Sequence, residues 1–152
     1  MATRETVSGL DSHLGYWLRY VSNQVSHAFA LKVQALGVTV TEWVVLRELY
    51  DAASMPSTLA DRLGTTRGAI SKLADRLCAK GLIIRDAYER DGRAQTLALT
   101  PEGRALVPEL AARADANDEQ FFGDLDPSLR QTIADAMKEI VRRRGLKAVP
   151  TD

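Results

Sequence analysis

Apolar positions along this chain recur at two periods, and the changes of period mark its elements. Leu14, Leu18, Val21, Val25 and Ala28 are spaced by three and four residues, as on a helix with one apolar face. The pattern predicts a helix from near Asp11 to near Leu36, roughly 40 Å long, with a left-handed stop at Gly37. Trp17, Tyr20 and Phe29 add a second apolar stripe, so this helix needs two partners, one of which can be another subunit. Thr39 and Glu42 have capping-box spacing ahead of Trp43, Leu46, Leu49 and Tyr50. Residues 51–56 read as a loop, because Pro56 disfavours helical backbone at the residue before it.

A short helix over 57–63 follows, with Leu59, Ala60 and Leu63 inward and Gly64 as its break. Thr66 caps the next helix, whose stripe is Ile70, Leu73 and Leu77 and whose end is Gly81. Two short helices joined through a glycine, the second polar on its free side, form a helix-turn-helix pattern. The period then falls to two. Ile83 to Tyr88 reads as a strand, Asp91-Gly92 as a turn, and Gln95 to Leu99 as a second strand. Thr100-Pro101-Glu102 opens a helix carrying Leu106, Val107, Leu110 and Ala114 toward Phe121, with Pro108 expected to kink it. A turn at 123–125 precedes Asp126-Pro127, which caps a last helix with the stripe Leu129, Ile133, Met137, Ile140 and Val141. Arg142, Arg143 and Arg144 suit the negative end of that helix before the stop at Gly145.

Composition narrows the class. The chain has 152 residues, 45% apolar and 26% charged, a globular balance that argues against disorder. Apolar runs such as Leu82-Ile83-Ile84 are far shorter than the ~20 residues of a membrane span. The first five residues lack the basic-then-apolar order of a secretory signal, so a cytoplasmic location is expected, with no membrane partner. One cysteine, Cys78, excludes an internal disulfide framework and reads as a small buried hydrophobe. His13 and His27 stand 14 residues apart, and no phosphate loop, nucleophile elbow or H-E-x-x-H is present. No catalytic residue, metal or cofactor is expected.

Charge is balanced overall, twenty basic against twenty acidic residues, but not evenly spread. Between Ser57 and Arg93 eight basic residues face five acidic ones. A basic segment in a neutral protein suits local phosphate binding with little general stickiness.

The ordered strings Thr39-Val40-Thr41-Glu42-Trp43-Val44-Val45-Leu46, Leu59-Ala60-Asp61-Arg62-Leu63-Gly64, Ala69-Ile70-Ser71-Lys72-Leu73-Ala74-Asp75-Arg76-Leu77, Lys80-Gly81-Leu82-Ile83, and Asp91-Gly92-Arg93 through Leu97-Ala98-Leu99-Thr100-Pro101-Glu102-Gly103 resemble the MarR (multiple antibiotic resistance regulator) family. The likeness spans roughly Leu10 to Arg144. It implies a mainly α fold with a small β-hairpin wing. Residues 39–100 would be a winged helix-turn-helix DNA-binding lobe, residues 1–38 and 101–147 a helical dimerisation lobe, and residues 148–152 a disordered tail. It also implies a homodimeric transcriptional regulator, most often a repressor, released by a small ligand. Gly68 departs from the family, where a polar side chain is frequent.

Residues at the start of a groove-inserted helix reach base edges. Here these are Thr66, Arg67, Gly68, Ser71 and Lys72. Arg67 is the candidate for guanine readout, while Lys72 and Arg76 are expected to meet phosphate. At the hairpin tip Arg90 and Arg93 flank Asp91-Gly92, and Arg93 is expected to line the minor groove. Arg62 and Arg85 read as structural ion-pair or solvated residues. Relatives hold aromatic acids or other small molecules between their lobes. Trp17, Tyr20, Trp43 and Arg47 are the candidates for such an aromatic or phenolic effector, followed by His13. The plainer account of Trp43 is core and of Arg47 is solvated surface. Competing functions are a winged helix that binds protein instead of DNA, and a small enzyme.

Overall fold

Capping side chains set the helix starts in the computed structural model, which describes residues 6–87 and 95–147. Helix α1 spans Leu14–Gln34 and is preceded by a 3-10 turn at Leu10–Ser12. It is shorter at both ends than the periodicity predicts. His13 is extended (φ −98°, ψ 125°) and separates the two pieces. At the other end the Leu36 and Gly37 amides donate to Val33 and Gln34, three residues back, so the chain tightens out of α geometry. Helix α2 (Val40–Asp51) has the predicted reciprocal cap: the Glu42 amide donates to Thr39 Oγ1 at 3.2 Å, and the Thr39 amide to Glu42 Oε1 at 2.9 Å.

Helix α3 covers Pro56–Leu63. It begins one residue earlier than expected, because proline at the first helical position gives up only a donor that has no partner there. Gly64 (φ 69°, ψ 31°) turns the chain in a left-handed conformation that a Cβ disfavours. Helix α4 (Arg67–Ala79) follows, with the Ala69 amide donating to Thr66 Oγ1 at 3.1 Å. Strands β1 (Ile83–Ala87) and β2 (Gln95–Leu99) pair antiparallel, Ile83 opposite Leu99. Tyr88, the last residue of the predicted first strand, lies outside the described residues. So do Arg90, Asp91, Gly92 and Arg93 of the hairpin tip and the tail at 148–152. The stretch read as a loop contributes one bridge to the sheet: Ser54 and Leu97 exchange backbone hydrogen bonds of 3.1 and 2.8 Å. Helix α5 (Pro101–Phe122) runs through Pro108, and α6 (Pro127–Arg144) ends at Gly145 (φ 58°).

Val33, Val38, Val45, Leu46, Leu49, Leu59, Ile70, Leu77, Ile83, Leu97, Val107 and Leu110 form one buried core. It joins the winged lobe to the end of α1 and the first half of α5. Each such large aliphatic side chain gains about 1.5–3 kcal/mol from burial. Lys32 Nζ donates to Asn117 Oδ1 (2.9 Å) and Gln120 Oε1 (2.6 Å), while Asn117 Nδ2 donates to the Val25 carbonyl, tying α1 to α5. Outside this core the apolar stripes are bare. Leu14, Leu18, Val21, Ile133, Met137, Ile140 and Val141 are all exposed, and no residue of α6 is buried.

Candidate nucleic-acid interface

The core itself orients α4. Ile70, Leu73, Ala74 and Leu77 are buried, which turns Thr66, Arg67, Gly68, Ser71, Lys72 and Arg76 toward solvent. Arg67, Gly68 and Ser71 line a cavity of about 370 Å³ together with Met55, Pro56, Ser57 and Gln95. The start of α3, the start of α4 and the edge of β2 therefore meet at one place. Ser57 and Gln95 were not singled out from the sequence. Their only signal was position: Ser57 is the second residue of a proline-started helix, and Gln95 the first of a strand. At Gly68 an added Cβ would meet, among the described residues, nothing closer than Thr66 Oγ1 at 3.9 Å. None of the described residues requires glycine there, and its absent side chain leaves helix backbone open beside Arg67.

Ion pairing divides the basic segment in two. Arg62 pairs with Glu48 at 3.2 Å and Arg85 with Asp75 at 2.6 Å, the structural role expected of both. Arg85 also donates to the Ser71 carbonyl at 3.3 Å, bracing the middle of α4 against β1. Arg76 reaches Thr39 Oγ1 at 3.2 Å and Glu42 Oε1 at 3.6 Å, so the guanidinium expected on phosphate is engaged within the protein. Lys80 Nζ lies 2.9 Å from each Glu42 oxygen, with hydrogen-bond geometry met at Oε1 only. Among the described residues, Arg67 and Lys72 carry charges that no ion pair holds.

Glu42 is completely buried. Burial opposes its ionisation, but hydrogen bonds from Lys80 and the Thr39 amide, with the Lys80 charge, outweigh that cost and hold its carboxyl below the ordinary value of 4.5. The sequence marked Glu42 only as half of a capping box.

The effector candidates are less concentrated. Trp17 is half exposed and its Nε1 donates to the Asp11 carbonyl at 2.8 Å. Tyr20 is exposed and meets Tyr16 edge-on. Trp43 packs against the core, in line with its plainer reading. Arg47 pairs with Asp51 at 3.0 Å and lies over the Tyr50 ring, which Arg104 also approaches. His13 caps nothing with its side chain at the start of α1. Cys78 is partly buried against the core, 4.0 Å from Arg85 Nη1. Among the described residues no group of three His, Cys, Asp or Glu could hold a metal ion, and no helix is long and apolar enough to cross a membrane.

A helix-turn-helix whose second helix is exposed at its start, followed by a β-hairpin, defines a winged-helix regulator. The MarR family model matches residues 36–94. An HTH-type transcriptional repressor of Mycobacterium tuberculosis is 30% identical over 116 residues, 76% of this chain and 84% of the relative. A MarR-family transcriptional regulator from Rhodococcus sp. RHA1 is 25% identical with a TM-score of 0.76, over 88% of this chain and 96% of that one. A mutant MarR from E. coli, solved in complex with operator DNA, shares the fold at 22% identity and a TM-score of 0.76, covering 84% of this chain and 93% of that one. The chain belongs to the MarR family and is a transcriptional regulator, not an enzyme.

Proposed function

We propose that the protein is a cytoplasmic homodimeric repressor that binds a pseudo-palindromic double-stranded operator. Residues 39–100 read the DNA, and residues 1–38 with 101–147 hold the two protomers together. Helix α4 enters the major groove. Arg67 bonds guanine O6 and N7, Ser71 meets a base or phosphate, Lys72 meets phosphate, and the Thr66 and Gly68 backbone lies against the strand. Arg93 of the wing lines the minor groove, and Arg90 is a second DNA contact beside it. The carrying observation is the exposed turn of α4, on which Arg67 and Lys72 face solvent and meet no ion-pair partner among the described residues.

Dimerisation is supported by the bare stripes. The first half of α1 and all of α6 present Leu14, Leu18, Val21, Ile133, Met137 and Ile140 to solvent. A helix of that length gains most of its stability by burying such a face. A cavity of about 420 Å³ lined by Phe122, Leu125, Ile133, Ala134 and Met137 lies on the same lobe. An aromatic or phenolic effector releases the operator; of its four candidates, Trp17 and Tyr20 are exposed, whereas Trp43 packs against the core and Arg47 would have to leave Asp51 to meet it.

Selection of bound sequences from random duplex tests the proposal. The expected result is a two-fold symmetric site with half-sites about 10 bp apart, bound with affinity that falls steeply with salt. Weak binding indifferent to salt would instead favour a protein partner.

A further inference from the structure

The one completely buried carboxylate among the described residues, Glu42, stands at a junction of three elements. It caps the start of α2 through Thr39. It takes Lys80 from the end of α4, and Arg76 from one turn earlier. Lys80 also donates to the Gly37 carbonyl at 2.9 Å, in the corner between α1 and α2. Capping alone needs no such cluster, since the N-cap exchange involves only Thr39 and Glu42. A buried charge is costly unless it is paired, and a paired one tolerates few arrangements. An apolar contact would hold α4 with less directional control.

From the geometry we infer that Glu42 and Arg76 are positioning residues for DNA recognition: the carboxylate anchors the C-terminal end of α4 to the α1–α2 corner, and Arg76 acts through it instead of contacting phosphate. This inference rests on α4 being the DNA-reading helix. The anchor and Arg67 lie at opposite ends of that helix, roughly 20 Å apart. A tilt of about 5° about the anchor would carry Arg67 by about 2 Å, more than a bidentate base contact tolerates. Two cations spent on one interior carboxylate also leave Arg67 and Lys72 as the charges of α4 that no ion pair holds among the described residues.

The test compares Glu42→Gln, Arg76→Gln, Arg76→Lys and Lys72→Gln with the parent. The full-length protein is titrated with a selected duplex and with a scrambled duplex across a salt series, and folding is checked by thermal melting. Arg76→Gln is expected to keep the parental salt slope while its selected-to-scrambled affinity ratio falls at least tenfold, and Arg76→Lys to restore the ratio. Glu42→Gln is expected to lose the ratio in the same way. Lys72→Gln should instead flatten the slope by about 0.9 per half-site with the ratio retained. Arg76→Gln flattening the slope as Lys72→Gln does would overturn the inference, as would a folded Glu42→Gln with the parental ratio. Arg76 is nearly half exposed, with 45% of its side chain accessible, so its variants decide the matter even where Glu42→Gln does not fold. A parent protein indifferent to salt would be a different failure, that of DNA binding itself.

Discussion

Gly103 packs against the backbone of Leu82 so closely that a Cβ at this position would overlap the Leu82 carbonyl oxygen. The same carbonyl accepts from the Thr100 amide at 3.0 Å, and Thr100 Oγ1 donates to the Gly81 carbonyl at 2.7 Å. The first turn of α5 is thus seated directly on the end of the helix-turn-helix. Gly103→Ala should destabilise the fold by about 1–3 kcal/mol, as overpacking does. Urea denaturation at fixed protomer concentration measures it.

Arg67→Ala should relax base preference at one position of each half-site by about 1–3 kcal/mol. Binding to an unrelated duplex should change far less, because the phosphate contacts remain. Competition between the selected duplex and its single-base variants gives the number. Uniform weakening across all duplexes would make Arg67 a phosphate contact instead.

Leu18→Asp and Ile133→Asp place a charge on stripes that are bare in the protomer, with 56% and 40% exposure. Each should leave the protomer's core packing unchanged while removing about 2 kcal/mol of apolar burial between subunits. The dimer dissociation constant should rise about 30-fold. Sedimentation over a concentration series reads the shift.

Glu42 titrates below its ordinary value of 4.5 in the folded protein. A depressed carboxyl contributes stability above its unfolded value and loses that contribution as pH falls through the folded one. Glu42→Gln removes a charge-assisted hydrogen bond, so the variant should be less stable by about 1.5–3 kcal/mol at neutral pH. The difference from the parent should shrink as pH falls below 4.5 and the parent's carboxylate is protonated. Paired urea curves at neutral and acidic pH show the convergence.

Much of the architecture could be read from local pattern. Thr39, Thr66 and Thr100 each cap the helix expected of them, and Gln95–Leu99 forms the strand its alternation predicts. The exposed face of α4 was equally legible, because a 3.6-residue period assigns its polar positions to one side once Ile70, Leu73 and Leu77 are inward. The Ser54–Leu97 bridge was hidden, since a single residue pair has no period. Pro56 concealed the start of α3, because proline halts a helix before itself and also begins one well.

Caps, breaks and apolar spacing are short-range properties, and amino-acid order alone established them, together with the likeness to one family. Which acid each basic side chain meets was decided only by folding. Arg62 finds Glu48 across 14 residues and Lys80 finds Glu42 across 38. In the linear chain Lys72 and Arg76 carry the same expectation of meeting phosphate, and nothing marks Lys80 as the partner of Glu42. Coulomb attraction between these cations and any acid depends on distances that exist only after α2 and α4 have packed, and it is this packing that separates Arg76 and Lys80, held by Glu42, from Arg67 and Lys72, which no ion pair holds among the described residues.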